Sequence, residues 1–177
     1  MLRWLIRFIV LAALVGVGGA FLLPSTAAFK REATIAAPPA KIYALISNYK
    51  RFNEWSPWFD RDPAAKYSFS GADKGVGAKM AWDSAKSDVG KGTQEIVAAV
   101  QDKSMDVKMD FGEMGFSNAN FLLEPAADGN STKVTWGFST DLGMNPVARW
   151  MGLVMDRMVG PDYEKGLAKL KVAAEKP

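Results

Sequence analysis

The chain has 177 residues, 49% hydrophobic and 23% charged, which is enough for one domain with a sizeable core plus an appendage but not for two full domains. It has no Cys and no His, which excludes disulfides, thiolate nucleophiles and Cys-ligated metals, and removes the commonest general base. The net charge of +3 rests on Arg3 and Arg7; from residue 8 onward 20 basic residues oppose 19 acidic ones. No basic run gathers on one helix face, so nucleic acid is not an expected partner.

Phe8 to Leu23 (FIVLAALVGVGGAFLL) carries no charge, and Trp4, Leu5 and Ile6 extend the apolar stretch past Arg7. A helix from Trp4 to Leu23 would span about 30 Å, the thickness of a bilayer's hydrocarbon core. Arg3 and Arg7 can snorkel to the headgroups, and Trp4 suits the interfacial belt. Two readings stay open. One is an uncleaved single-pass anchor, favoured by the length of the apolar core. The other is a signal peptide cut near Ser25-Thr26-Ala27 or Thr26-Ala27-Ala28. Both send residues 29–177 across the membrane, leaving the N-terminus inside and the domain outside the cytoplasm. Residues 1–28 are anchor and linker. Gly16 and Ala20 form a small-residue step that is ordinary for such a helix.

Phe29 to Ile35 alternates as an edge strand. Ala36-Ala37-Pro38-Pro39 stops it, and Pro39 opens a helix over 40–47 that carries Ile42, Leu45 and Ile46. A short turn over Tyr49 to Trp55 ends at Ser56-Pro57. The apolar period then changes to two. Strands are expected over 67–69, 79–83, 92–101, 104–111, 116–124 and 132–141, with Gly-rich or Asp/Asn-containing turns between them. One turn comprises Ala127, Asp128, Gly129 and Asn130. Met105, Val107, Met109 and Phe111 share one strand face, while Asp106, Lys108 and Asp110 share the other. Asn145-Pro146 opens a long helix whose apolar stripe runs Met151, Met155, Met158, Tyr163, Leu167, Leu170, Ala174. Its single step of five falls at Gly160-Pro161, where a kink is expected. Strands segregated from one covering helix imply an α+β fold.

In "ATIAAPPAKIYALISNYKRFNEWSPW", "GADKGVGAKMAWDS", "GKGTQEIVAAV", "TKVTWGF" and the closing "YEKGLAKLK", the chain resembles the SRPBCC or START-like superfamily, also called polyketide cyclase/dehydrase-like. No single motif is diagnostic; their order over residues 29–177 carries the likeness. The resemblance implies a helix-grip fold, in which a curved seven-stranded antiparallel sheet wraps a long C-terminal helix around an apolar cavity. It does not imply one function, because members bind lipids, sterols and polyketides, some catalyse, and some bind proteins.

Against that frame, Met151, Met155 and Met158 are expected to oppose Met105, Met109, Phe111, Trp136 and Phe138, as adaptable pocket walls or as core. Trp55, Pro57, Trp58 and Phe59 would rim the mouth or anchor a loop. Asn118 and Asn120 are candidate polar contacts. Trp82 reads as core. Glu95, sharing its alternation with Val97 and Ala99, is the best candidate for an inward acid. Asp60 and Asp62, flanking Arg61, are paired carboxylates only if both reach one atom. Gly75-Val76-Gly77 and Gly90-Lys91-Gly92-Thr93 lack phosphate-loop spacing and read as hairpin turns. Asn130-Ser131-Thr132 matches a glycosylation sequon. Neither a cofactor nor a metal is expected. The leading expectation is membrane-tethered binding of a hydrophobic small molecule or lipid. A protein-interaction module and a cyclase- or dehydratase-like enzyme are the alternatives.

Overall fold

The computed structural model describes residues 1–127 and 129–176, so Asp128, expected in a turn, lies outside the described residues. Helix α1 spans Leu2–Ala20 and is long and apolar enough to cross a membrane by length and composition. Strand β1 follows at once as Thr26–Ile35, three residues earlier than its alternation suggested. Its first residues qualify as strand because they pair with the end of the last strand, Thr26 opposite Asp141 and Ala28 opposite Ser139.

Helix α2, Pro39–Ile46, starts on Pro39 and buries Ile42, Leu45 and Ile46, as their spacing requires. A 3-10 helix occupies Tyr49–Glu54. That turn ends before Ser56-Pro57, as expected, but the pair also starts another helical turn, which was not expected. The Ser56 hydroxyl accepts from the Phe59 N–H and Pro57 takes the first helical position, so the pair opens one more turn, α3, Pro57–Arg61. The two signals of a stop are here the two signals of a start.

Six further strands complete the sheet: β2 Lys66–Gly71, β3 Ala78–Asp83, β4 Lys91–Val100, β5 Ser104–Asp110, β6 Phe116–Pro125 and β7 Thr132–Asp141. All neighbouring pairs are antiparallel, in the order β1-β7-β6-β5-β4-β3-β2. Successive strands are hairpin neighbours except β1, which closes the edge beside β7. On β6 every second residue from Ser117 to Leu123 is buried and its neighbours are exposed, the pattern of a half-buried sheet.

Helix α4 runs unbroken as Pro146–Glu175, with Pro161 inside it. The Asn145 side chain caps it twice, accepting from the Val147 and Ala148 N–H groups at 2.9 and 3.1 Å. The helix runs alongside β1. Arg31 reaches Glu164 and Asp156 at 2.7 and 2.5 Å, and the Ala36 N–H donates to Glu175 at 2.7 Å. Tyr163, Leu167, Leu170 and Ala174 enter the core shared by the sheet, α2 and the 3-10 helix.

The first half of the methionine stripe departs from expectation. Met151 and Met158 are exposed and Met155 is only half-buried. In an unbroken helix a step of five residues turns about 140° beyond a full turn, so a stripe containing one changes face there. Tyr163 onward faces the core; Met151 and Met158 face away from it.

Candidate functional site

The interior between the sheet and α4 is built from rings. Trp136 on β7 stacks on Tyr163 of α4 at 3.9 Å between centroids and on Phe121 of β6 at 5.0 Å. Trp55, fully buried after the 3-10 helix, meets Trp136 edge-on at 5.4 Å. Trp58, from α3, meets both Trp136 and Tyr163 edge-on. Phe29 stacks on Phe138 and presents its edge to Tyr163. Face-to-edge and offset contacts at these separations are individually favourable beyond the area they bury.

Alternation on β5, β6 and β7 places Met105, Met109, Phe121, Trp136 and Phe138 on one side of the sheet. Gly166 admits α4 to that side, since a Cβ there would lie 2.6 Å from the Trp136 ring. Of the residues singled out by sequence, Trp55, Met105, Met109, Trp136 and Phe138 are buried together. Trp58, Phe111 and Met155 are half-buried against them. Asn120 is not brought to this interior. It lies on the opposite, exposed face of β6, over Gly137. Phe111 sits at the end of β5 against Trp82, whose indole N–H donates to the Val89 carbonyl.

Two buried indole nitrogens, Trp55 Nε1 and Trp136 Nε1, find no hydrogen-bond partner among the described residues, and neither does the Tyr49 hydroxyl. A buried donor left unpaired costs about 1–3 kcal/mol. Two such donors on adjacent rings bring apolar walls and unused polar groups together in this interior. The Tyr163 and Tyr49 phenols are both pushed well above their ordinary value by burial, with the Glu95 charge adding to the shift at Tyr49. Both are therefore neutral donors near neutral pH. Phe121, Phe29 and Tyr49 were not among the sequence candidates. Phe121 was readable from the alternation of β6, whereas nothing local marks Phe29, an edge-strand residue, as a wall.

The acidic candidates fall outside. Glu95 points away from the interior and pairs with Lys79 at 3.1 Å. A bulge between Ile96 and Ala98 shifts the phase of β4, so Gln94 and Ile96 face the core while the Val97 and Ala98 positions are exposed. Reading parity backward from Ala99 across a bulge puts Glu95 on the wrong face. Asp60, Arg61 and Asp62 diverge to three partners: Lys169 at 2.7 Å, Asp162, and the Ser84 hydroxyl at 2.5 Å. They pin α3 to α4 and to the β3–β4 loop rather than sharing an atom. A concavity of about 310 Å³ lies on the outer side of the sheet; its lining includes Ser68, Lys79, Thr93, Glu95 and Lys108.

Residues 26–175 match the family model described as polyketide cyclase / dehydrase and lipid transport. No curated protein matches the chain. Solved structures share the fold at low identity. A protein from Thermobifida fusca is 15% identical with a TM-score of 0.61, over 83% of this chain and 92% of that one. Ara h 8.0201 is 18% identical with a TM-score of 0.56, over 82% and 97%. The Aha1 dimer from Colwellia psychrerythraea gives 19% and 0.56, over 84% and 96%.

Proposed function

Because the chain belongs to the polyketide cyclase/dehydrase and lipid transport family, we propose that it is a membrane-tethered binder of a hydrophobic small molecule, taken up in the ring-lined interior between sheet and α4. The observation that carries this reading is the pair of unpartnered indole donors on Trp55 and Trp136 inside apolar walls. Such a site favours a molecule with an apolar body and one acceptor oxygen. That oxygen is neutral, as in an ester, ketone or alcohol. Two cations that join α3 and α4 are already paired, Arg61 with Asp162 and Lys169 with Asp60, so neither is free to compensate a carboxylate taken into the interior. Entry runs past Trp58 and Met155, the half-exposed members of the wall, and requires them to part. Helix α1 supplies the tether, with its N-terminus inside and the domain outside the cytoplasm.

The indole N–H resonances of full-length protein in lipid nanodiscs test the reading. Titration with methyl laurate should shift the signals of Trp55 and Trp136, and laurate should do so less. Trp136→Phe should remove one of the two responding signals and weaken uptake. If only Trp4 and Trp150 respond, the molecule is partitioning into lipid and the interior is not a binding site.

A further inference from the structure

The outward face of α4's first turns is apolar. Val147, Trp150, Met151, Val154 and Met158 follow the spacing i, i+3, i+4, i+7 and i+11, which lines up one side of a helix. All five are exposed, from 41% at Val154 to 69% at Val147. The opposite side carries Arg149 and Gly160, both buried. A water-facing helix has the reverse arrangement, so this stripe is made for an apolar surrounding. Its neighbour in the fold is α1. The Trp150 indole donates to the Gly16 carbonyl at 2.9 Å. The Arg149 guanidinium donates to the Gly143, Leu23 and Phe21 carbonyls at 2.9, 3.2 and 3.4 Å, tying the start of α4 to the end of α1.

We propose that the first turns of α4 lie in the membrane–water interface beside α1, with the stripe from Val147 to Met158 against lipid acyl chains. The inference rests on the reading of α1 as a membrane anchor. Gly16 lies four residues before the end of α1 at Ala20, about 6 Å along its axis. Trp150 is held there, about one helical turn inside the outer end of α1 if α1 spans the bilayer, next to the interface where indole rings concentrate. The charges of this segment fit the same placement. Arg149 is turned inward, Asp156 is paired with Arg31, and exposed Arg157 flanks the stripe, where its stem can lie along lipid with its head at the phosphates. Docked this way, Trp58 and Met155, the margin of the ring-lined interior, are held close to the lipid surface from which a hydrophobic ligand would come.

The chain contains no cysteine, so single-cysteine variants carry one spin label each. Full-length Val10→Cys, Val147→Cys, Val154→Cys, Met158→Cys and Asp106→Cys are reconstituted into vesicles of phosphatidylcholine and phosphatidylglycerol. Accessibility to oxygen and to a water-soluble nickel chelate is then compared. At the three stripe positions the oxygen-to-nickel ratio should rise roughly tenfold over that at Asp106→Cys, as insertion about 5–10 Å into the headgroup–acyl boundary requires. If the Val10→Cys label is in lipid but the stripe labels match Asp106→Cys, the interfacial placement is wrong and the anchor stands. If the Val10→Cys label is itself aqueous, the anchor reading fails and the inference falls with it. Strong spin–spin broadening at Val154→Cys would put a second copy of the chain on the stripe, which also overturns lipid contact.

Discussion

Two glycines on the inward side of α4 show how much one methyl group can decide. At Gly166 an added Cβ would sit 2.6 Å from the Trp136 ring and 3.3 Å from Pro57, and the ring is clamped between Phe121 and Tyr163. At Gly160 the obstructions are the end of Arg31, at a Cβ distance of 2.1 Å, and the Asp156 carboxylate at 2.6 Å, the two ends of one ion pair between flexible side chains that can move apart. Either change to Ala gains about 1 kcal/mol of helix propensity. Gly166→Ala also forces overpacking, costing about 1–3 kcal/mol, and should lower the unfolding midpoint. Gly160→Ala loses a half-exposed ion pair worth about 0–1 kcal/mol, so it should be close to neutral. Urea unfolding of the two variants in detergent checks the contrast; equal losses would mean that the Trp136 stack yields as easily as Arg31 does.

The same residues explain which faces of the elements were legible. Trp136, Met105 and Met109 could be assigned a common face because β5 alternates strictly and the large apolar residues Val134, Trp136 and Phe138 recur at every second position of β7. On β4 the bulge between Ile96 and Ala98 breaks it, and no residue there marks the bulge in advance. On α4 both sides offered a stripe, one of methionines and one that includes Gly152, Gly160 and Gly166. In the first half of the helix the glycine side is the one that packs, Gly152 against Leu142 and Gly160 against Arg31, while from Tyr163 onward the bulky residues Leu167 and Leu170 pack as their spacing implies and Gly166 makes room for the Trp136 ring. The end signals were read more securely. Asn145 caps α4 through two hydrogen bonds, as its position before Pro146 suggested. Asn145→Ala should cost about 1 kcal/mol, roughly a fivefold change in local equilibrium. Amide exchange at Val147 and Ala148 should rise accordingly while exchange at Leu167 and Leu170 stays unchanged. A uniform rise along the helix would show that the cap stabilises the whole fold and not the first turn.

At the scale of the molecule, the same inventory that removes catalytic imidazoles also sets how the fold answers to pH. With no His, no side chain of ordinary pKa changes charge between about pH 5 and 8. Several carboxylates are held below their ordinary values: Glu32 by Lys133 and Lys30, Asp73 by Lys50, and Glu175 chiefly by the Ala36 N–H. A group lowered in the fold stabilises it above the unfolded pKa and loses that contribution as pH falls through the folded value, so the acid loss begins below about pH 4. The phenols of Tyr49 and Tyr163 are displaced the other way, by burial. A group raised in the fold contributes fully below its unfolded pKa, ordinarily 10.0 for Tyr, and loses that contribution as pH rises beyond it. The melting midpoint should therefore be flat across neutrality and fall at both ends. In the alkaline limb the phenolate absorbance of Tyr49 and Tyr163 should appear only together with unfolding, because Tyr163 is buried against Trp136 and Tyr49 against Phe52, and the core must open before either can ionise in water. Phenolate signal from these two residues while the fold is intact would mean that water already reaches the interior. That would replace the unpartnered indoles with solvated ones and remove the argument for an acceptor-bearing ligand.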